Sequence, residues 1–402
     1  MVAADASKHA GERQKGSYAG LRTTLMTAAL LGALCATAGA ASAKTLYVSP
    51  HGKDTNKCTV KAPCKTIGRA VARARKGDTV SVARGTYAED VNINKDISVV
   101  GVNGPIVNAS GLNNGFLIDG AKAAGAAVRG FVVEKANFEG IFAEKTSRLT
   151  IANNSVRGND LGAASKTPVG ECAPQGPVPG DCGEGVHLMT VSNSHVTGNL
   201  VTGNVGGILL TDELGPTARN IVSKNRVLKN LYDCGITIAG HSTKAVSLTT
   251  GKPQPKLAGI YNNTISDNVS NDNGSKGEGA GILLAAAGPG AGVYDNVVQG
   301  NTANGNSLAG VTLHSHTPMQ DLNGNKIIDN SVSNDGAKGD AEFGESGTVG
   351  ILVGSGVTKL SGIVITGNKI SNVHYGIYTK NAPKVNNRAN KFTNVAVPIN
   401  QI

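Results

Sequence analysis

Asn220-Ile-Val-Ser-Lys-Asn225-Arg-Val-Leu-Lys-Asn230 sets an asparagine at every fifth residue, with a short apolar-centred segment between each pair. The same ladder returns as Asn263-Thr-Ile-Ser-Asp-Asn268-Val-Ser-Asn-Asp-Asn273 and Asn296-Val-Val-Gln-Gly-Asn301-Thr-Ala-Asn-Gly-Asn306. Shorter or imperfect copies stand at Asn199/Asn204, Asn325/Asn330/Asp335 and Asn368. Each asparagine follows a short strand and marks a corner. Asparagine tolerates left-handed backbone, and its side chain bonds the main chain of turns. In a stacked array, asparagines of successive layers can also bond one another.

A second module surrounds the ladder: a glycine followed by a short alternating strand. It reads Gly140-IFAEK, Gly185-VHLMT, Gly207-ILLTDE, Gly235-ITIAGH, Gly281-ILLAAA, Gly310-VTLHSH, Gly350-ILVGS and Gly376-IYTKN. The first and third positions are nearly all aliphatic, as in Ile208/Leu210, Ile236/Ile238 and Ile282/Leu284, whereas the second varies freely. Period-two alternation with one faithful face describes a strand with one side in a core. The glycines recur every 22 to 46 residues, the longer intervals containing loops. One coil is therefore corner, strand, corner, strand, corner and glycine-led strand, stacking on the next at roughly 4.8 Å. The pattern predicts an all-β fold: a single-stranded right-handed parallel β-helix of about eleven coils, the hand favoured for parallel crossovers. A leucine-rich repeat needs regular Leu-x-x-Leu-x-Leu spacing, and a transmembrane barrel needs longer strands with aromatic girdles; neither pattern is present.

Residues 1–43 stand outside the repeats. A basic start (Lys8, Arg13, Lys15, Arg22) leads into an apolar run from Leu25 to Ala40 and the small-x-small sequence Ala41-Ser42-Ala43. This layout predicts a signal peptide cleaved near Ala43 and a secreted or periplasmic product, with no stable membrane insertion. Cleavage removes four basic and two acidic residues from 38 and 28, leaving a net charge of +8. Such a chain attracts polyanions, acidic polysaccharides among them. Trp is absent, Phe and Tyr are few, and no basic cluster interleaves with aromatics, so nucleic acid is not an expected partner. The repeat architecture is compatible with homo-oligomers. Export permits disulfides: Cys58/Cys64 and Cys172/Cys182 can each close a small ring. Cys234 is then a buried thiol, with Cys182–Cys234 as the competing pairing.

The segment 44–78 reads as an N-terminal strand and capping helix, and 79–402 as the β-helix. Lys65–Arg75 is amphipathic, with Ile67, Ala70, Val71 and Ala74 on one face. A helix over the end of a solenoid hides apolar surface and blocks edge pairing. The stretch Tyr47–Asn94, with YVSPHGKD, PCKTIGRAVARA, GDTVSV and GTYAEDV, resembles the opening of secreted β-helix proteins of the pectate-lyase-like superfamily. The asparagine pentads and glycine-led strands resemble the parallel β-helix repeat family over nearly all of residues 44–402. The resemblance implies a fold that hosts polysaccharide lyases, glycoside hydrolases, epimerases, phage tailspikes, adhesins and accessory proteins. Fold alone does not choose among them.

Aligning the glycine-led strands by their glycines places Asp212/Glu213, Gly240/His241, Ala286/Ala287 and Ser315/His316 at positions five and six, with His314 at position four. These residues are expected on one sheet within about four coils, ~15 Å, with the Ala285–Ala287 coil as a groove floor. Asp233, Glu184 and Glu278 precede glycines and form a second acidic line, with Asp181 nearby. Asp212, Glu213 and Asp233 are candidates for paired carboxylates that cleave a glycosidic bond. His241, His314 or His316 is the candidate base for β-elimination beside a uronate carboxylate. Glu184, His187, Glu278 and Arg219 are candidate substrate contacts. No cofactor motif is evident; a divalent metal held by Asp212, His241 and one of the other two histidines is the remaining candidate. Loops 168–181, 242–256 and 335–347 are expected to wall the cleft. The expected function is polysaccharide cleavage, by a hydrolase or a lyase. The competing expectation is a non-catalytic protein for glycan binding, adhesion or accessory work, which the scarcity of aromatic sugar platforms favours.

Overall fold

The computed structural model describes residues 42–159, 183–336, 348–357, 360–382 and 389–402. Residues 1–41, and with them nearly all of the expected signal peptide, lie outside the described residues, as do Asp181, Cys172 and Cys182. Among the described residues the chain winds into parallel sheets. One sheet has eleven strands, from Thr45–Val48 to Val364–Thr366, and a bent sheet of twenty-three strands supplies the other faces. The expected coil number and parallel pairing are both found. Consecutive glycine-led strands pair in the register read from their glycines: Ile141 with Val186, then Ile208, Ile236, Ile282, Val311 and Ile351. First and third positions of these strands are fully buried, as Ile208, Leu210, Ile236, Ile238, Ile282 and Leu284 illustrate. The core is thus a column of aliphatic side chains running the length of the solenoid.

Three side-chain ladders fasten the corners. In the second, Asn154, Asn199, Asn225, Asn268, Asn301, Asn330, Asn368 and Asn390 bond in series. Asn225 shows how a rung works. Its Oδ1 accepts from the backbone N and the Nδ2 of Asn199, both at 3.0 Å. Its own N and Nδ2 donate to Asn268 Oδ1 at 3.0 Å, and Nδ2 also donates to the Val196 carbonyl at 2.9 Å. A buried amide thereby satisfies both its donors and its acceptor, as a dry corner requires.

The ladder asparagines are not themselves the left-handed residues. That conformation falls on the residue before each: Lys224 (φ 56) before Asn225, Asp267 (φ 56) before Asn268 and Gly300 (φ 65) before Asn301. The rung must keep its N–H and its side chain along the solenoid axis, so the turn is made one position earlier, where the side chain is in solvent. Lys, Asp and Gly all serve there.

The leading glycines have a different cause. A Cβ on Gly281 would lie 2.5 Å from the Gly310 carbonyl oxygen, 2.8 Å from Ala303 Cβ and 2.9 Å from Asn306 Nδ2. Each strand begins where the ladder of the adjoining corner and the backbone of the next coil meet, and only glycine fits.

The helix forms over Ile67–Arg73, with Ile67, Ala70, Val71 and Ala74 buried as the amphipathic pattern predicts. Thr66 caps it by accepting from Arg69 N. Glu89 accepts from the N–H groups of Ile67 and Gly68, both at 2.8 Å, and Lys95 Nζ donates to the carbonyls of Val71, Ala72 and Ala74. An acid at the first turn and a base at the last complement the helix dipole. The strand Thr45–Val48 pairs with Thr79–Val82 and is itself the outermost rung of the eleven-stranded sheet, so cap and solenoid are continuous. Cys58 and Cys64 form the expected disulfide, and Cys234 carries a free, buried thiol. Glu89→Ala is expected to cost about 2 kcal/mol, by leaving two N–H groups without their acceptor. Faster amide exchange at Ile67 and Gly68 than in the core strands is the measurement that checks it; unchanged protection contradicts the assignment.

Candidate active site

On the outward side of the glycine-led sheet, side chains at the second and fourth positions point away from the core. Fourth positions align as Met189, Thr211, Ala239, Ala285, His314 and Gly354. The acid and histidine side chains collect at one end of this row. Glu139 Oε1 lies 3.0 Å from His187 Nδ1, and His187 Nε2 lies 2.9 Å from the Thr211 hydroxyl. His187, Glu139 and Thr211 are buried. One coil on, Glu213 Oε1 lies 2.8 Å from His241 Nδ1, and here the side chains retain 32% and 14% of their exposure. Burial opposes ionisation of Glu213. The bond to His241, the charges of His241 and His187 and the Thr211 hydroxyl outweigh it and hold the carboxyl below its ordinary value. The partly exposed Glu213–His241 pair therefore rests on a buried polar layer.

Asp212 faces the other way. Its Oδ1 accepts from His241 N at 2.8 Å and Ser242 N at 3.0 Å, and Oδ2 accepts from Gly259 N at 2.7 Å. It is fully buried, and burial pushes its carboxyl up to about 6 against those three donors. Asp212 therefore ties both ends of the 241–259 loop to the sheet. Asp212→Ala is expected to free that loop, read as accelerated amide exchange at Gly259 while Ile236 and Ile238 stay protected; equal protection at Gly259 would contradict it.

The remaining candidates disperse. Asp233 sits two residues before Gly235, at the opposite end of the strand from the Asp212 corner, with Oδ1 accepting from Cys234 N at 2.6 Å. Asp212 and Asp233 therefore do not form a carboxylate pair. Glu184 is buried beside Asp233, both lying against Gly206, while Glu278 is exposed. Arg219 is one of the left-handed corner residues; its Nε donates to Asn193 Oδ1 at 2.9 Å, beyond the far end of the sheet. His314 and His316 pack ring to ring at 4.5 Å, with His314 three coils from Thr211, ~14 Å. Burial, then the neighbouring His316, pushes His314 down to about 3, which leaves its ring neutral at physiological pH. The metal set of Asp212, His241 and a third histidine is not assembled. Among the described residues no group of three or more His, Cys, Asp or Glu side chains is placed to hold a metal ion. Between the two clusters Ala239, Ala285 and Ala287 form the small-residue floor, with Ala239 buried, Ala285 half-buried and Ala287 exposed.

Glu139 and Thr211 complete the cluster from positions that only the register marks. Glu139 precedes Gly140 as Glu184 precedes Gly185, so both occupy one register position on adjoining coils. Thr211 is the fourth-position residue next to Asp212 and was hidden by its bland chemistry.

The family model for the right-handed β-helix region matches residues 98–339, more than half of the chain. The chain belongs to the right-handed β-helix family. A second model, described as a protein of unknown function (DUF1565), matches residues 50–99 of this β-helix protein, the capped end. Uncharacterized protein YwoF of Bacillus subtilis strain 168 is 30% identical over 137 residues, and the match spans 28% of each chain. Among solved structures, an alginate lyase from Paenibacillus sp. strain FPU-7 superposes with a TM-score of 0.50 at 13% identity, covering 88% of this chain and 99% of that one. The Dettilon tailspike protein superposes with a TM-score of 0.51 at 16% identity, covering 88% and 68%. At such identities these likenesses establish the fold of the β-helix and not its chemistry. No helix among its described residues is long and apolar enough to cross a membrane.

Proposed function

We propose that this β-helix is exported by the signal peptide at residues 1–43 and cleaves an anionic polysaccharide on the outward face of its glycine-led sheet. The carrying observation is the 2.8 Å contact between Glu213 and His241 at the partly exposed rim of an alanine floor. A carboxylate on Nδ1 orients the ring and leaves Nε2 as the base, which suits proton removal from carbon. In a uronate chain His241 takes the proton at C5, the C4–O bond breaks, a C4–C5 double bond forms, a water protonates the departing oxygen, and the hydroxide so formed takes the proton back from the His241 imidazolium. Charge supports this substrate class. Residues 242–258 carry Lys244, Lys252 and Lys256, all exposed, and no acid, so the loop that Asp212 anchors attracts an anionic chain. The alginate lyase whose fold resembles this one is consistent with that reading. A non-catalytic glycan-binding role is the second reading, favoured by the burial of Glu139, His187 and Thr211 within the fold.

Incubation of the purified protein with uronate and neutral polysaccharides separates these readings. Elimination yields an unsaturated product that absorbs in the ultraviolet, and this is the expected result on a uronate polymer. Reducing ends without that absorbance mean hydrolysis and displace His241 as a carbon base. Retained binding with no cleavage of any glycan favours the second reading.

A further inference from the structure

The third ladder runs Asn159, Asn204, Asn230, Asn273, Asn306 and ends on Asp335, the one acid among its rungs in the described residues. Asp335 is fully buried. Its Oδ1 does what every rung's Oδ1 does, accepting from Asn306 N at 2.7 Å and Asn306 Nδ2 at 2.8 Å. Its other oxygen stands where the asparagines carry an N–H₂ group. A Cβ built on Gly140, Gly185 or Gly281 would meet Nδ2 of Asn159, Asn204 or Asn306 at 2.9 Å; a Cβ on Gly310 would meet Asp335 Oδ2 at 2.7 Å.

In the rungs above, that Nδ2 donates to a carbonyl of the coil above: Asn159 to Val133, Asn204 to Val156, Asn273 to Val227 and Asn306 to Ser270. By the same register the carbonyl facing Asp335 Oδ2 is that of Ala303. Two oxygens without a hydrogen between them repel, and Oδ2 has no donor among the described residues. The geometry points to a protonated Asp335, whose O–H replaces the amide N–H of an asparagine rung, so that loss of this proton unlatches the last rung of the ladder.

Burial, the largest influence, pushes the carboxyl up to about 7, against the two Asn306 donors and the backbone N–H of Ser333; Asp272, the charged group acting from the neighbouring corner, pushes the same way as burial. The uncharged neighbours are Asn306, Ser333 and Gly310. An acid raised above its unfolded value makes the folded state hold the extra proton. Its stabilisation is complete below the unfolded value near 4 and is lost as pH rises to about 7. The rung is thus a proton-dependent latch at the base of the strand led by Gly310, which pairs directly with the strand that carries Ala285.

Thermal unfolding of the full chain, wild type against Asp335→Asn, between pH 4.5 and pH 8.5 tests this. The amide carries the N–H permanently, so the two proteins are expected to melt together at pH 4.5. By pH 8 the variant is expected to melt about 4 °C or more above wild type. Asp335→Ser, neutral but shorter, is expected to melt lower throughout yet to lose the same pH slope. A slope between pH 5 and pH 8 that persists unchanged in both variants overturns the proposal, as does an Asp335→Asn protein less stable than wild type by a constant margin. Neither readout depends on glycan cleavage, so the latch and the proposed activity fail separately.

Discussion

Asn225→Ala is expected to lower the free energy of unfolding by about 4 kcal/mol or more, read by urea denaturation followed by circular dichroism. The substitution removes a side chain that gives two bonds and takes two. It leaves the Asn199 N–H, the Asn199 amide and the Val196 carbonyl buried without that partner. Each orphaned buried group costs about 1–3 kcal/mol, and the cavity adds to this. Asn225→Asp is expected to be nearly as damaging. It keeps the acceptor toward Asn199 but turns an oxygen toward both the Val196 carbonyl and Asn268 Oδ1. One residue earlier the expectation reverses: Lys224→Gly relieves a left-handed lysine and is expected to be neutral or to stabilise by up to ~1 kcal/mol. Comparable losses at residues 224 and 225 would contradict the division of labour between turn and rung.

His241→Ala is expected to reduce cleavage of a uronate polymer by roughly 10²–10⁴-fold, the scale of a lost general base, while the melting temperature changes little. The fold holds this residue by its main chain, since Asp212 accepts from His241 N and alanine retains that N–H. The imidazole is bonded to Glu213 at the rim and is separable from the scaffold. Glu213→Gln should cost less, roughly ten- to a hundredfold, because the ring keeps a hydrogen-bond partner but loses the charge that favours its protonated form. The acid limb of the rate profile is accordingly expected to move to lower pH in Glu213→Gln. A full-speed His241→Ala enzyme would place the base elsewhere on the sheet.

The sequence states the solenoid in unusual detail because its two devices are local. A glycine is legible wherever two coils and a ladder meet, and an asparagine wherever an axial rung is needed, so register could be read without coordinates. The helix was legible for the same reason, its buried stripe Ile67, Ala70, Val71 and Ala74 being close in sequence. The site was legible only in part. Register placed Glu213 and His241 on adjoining coils, and they meet. Register alone did not say which way a side chain turns at a strand end. Asp212, beside Glu213 in the chain, turns inward to hold three N–H groups, and Asp233 lies at the opposite corner. Glu139 carries no local signal of its role, because its partner His187 is 48 residues away in the chain although one coil away in space. Arg219 has the charge of a substrate contact, but its position is fixed by the turn before Asn220. The pairing of Cys172 with Cys182 and the conformations of loops 168–181 and 337–347 fall outside the described residues.

The most direct test of the site is a crystal structure of the His241→Ala protein soaked with a uronate oligosaccharide. Sugar density is expected over Ala239, Ala285 and Ala287, with one ring within hydrogen-bond distance of Glu213 and a carboxylate toward Lys244, Lys252 or Lys256. Density confined to the eleven-stranded sheet, or none at concentrations that saturate binding in solution, would contradict it.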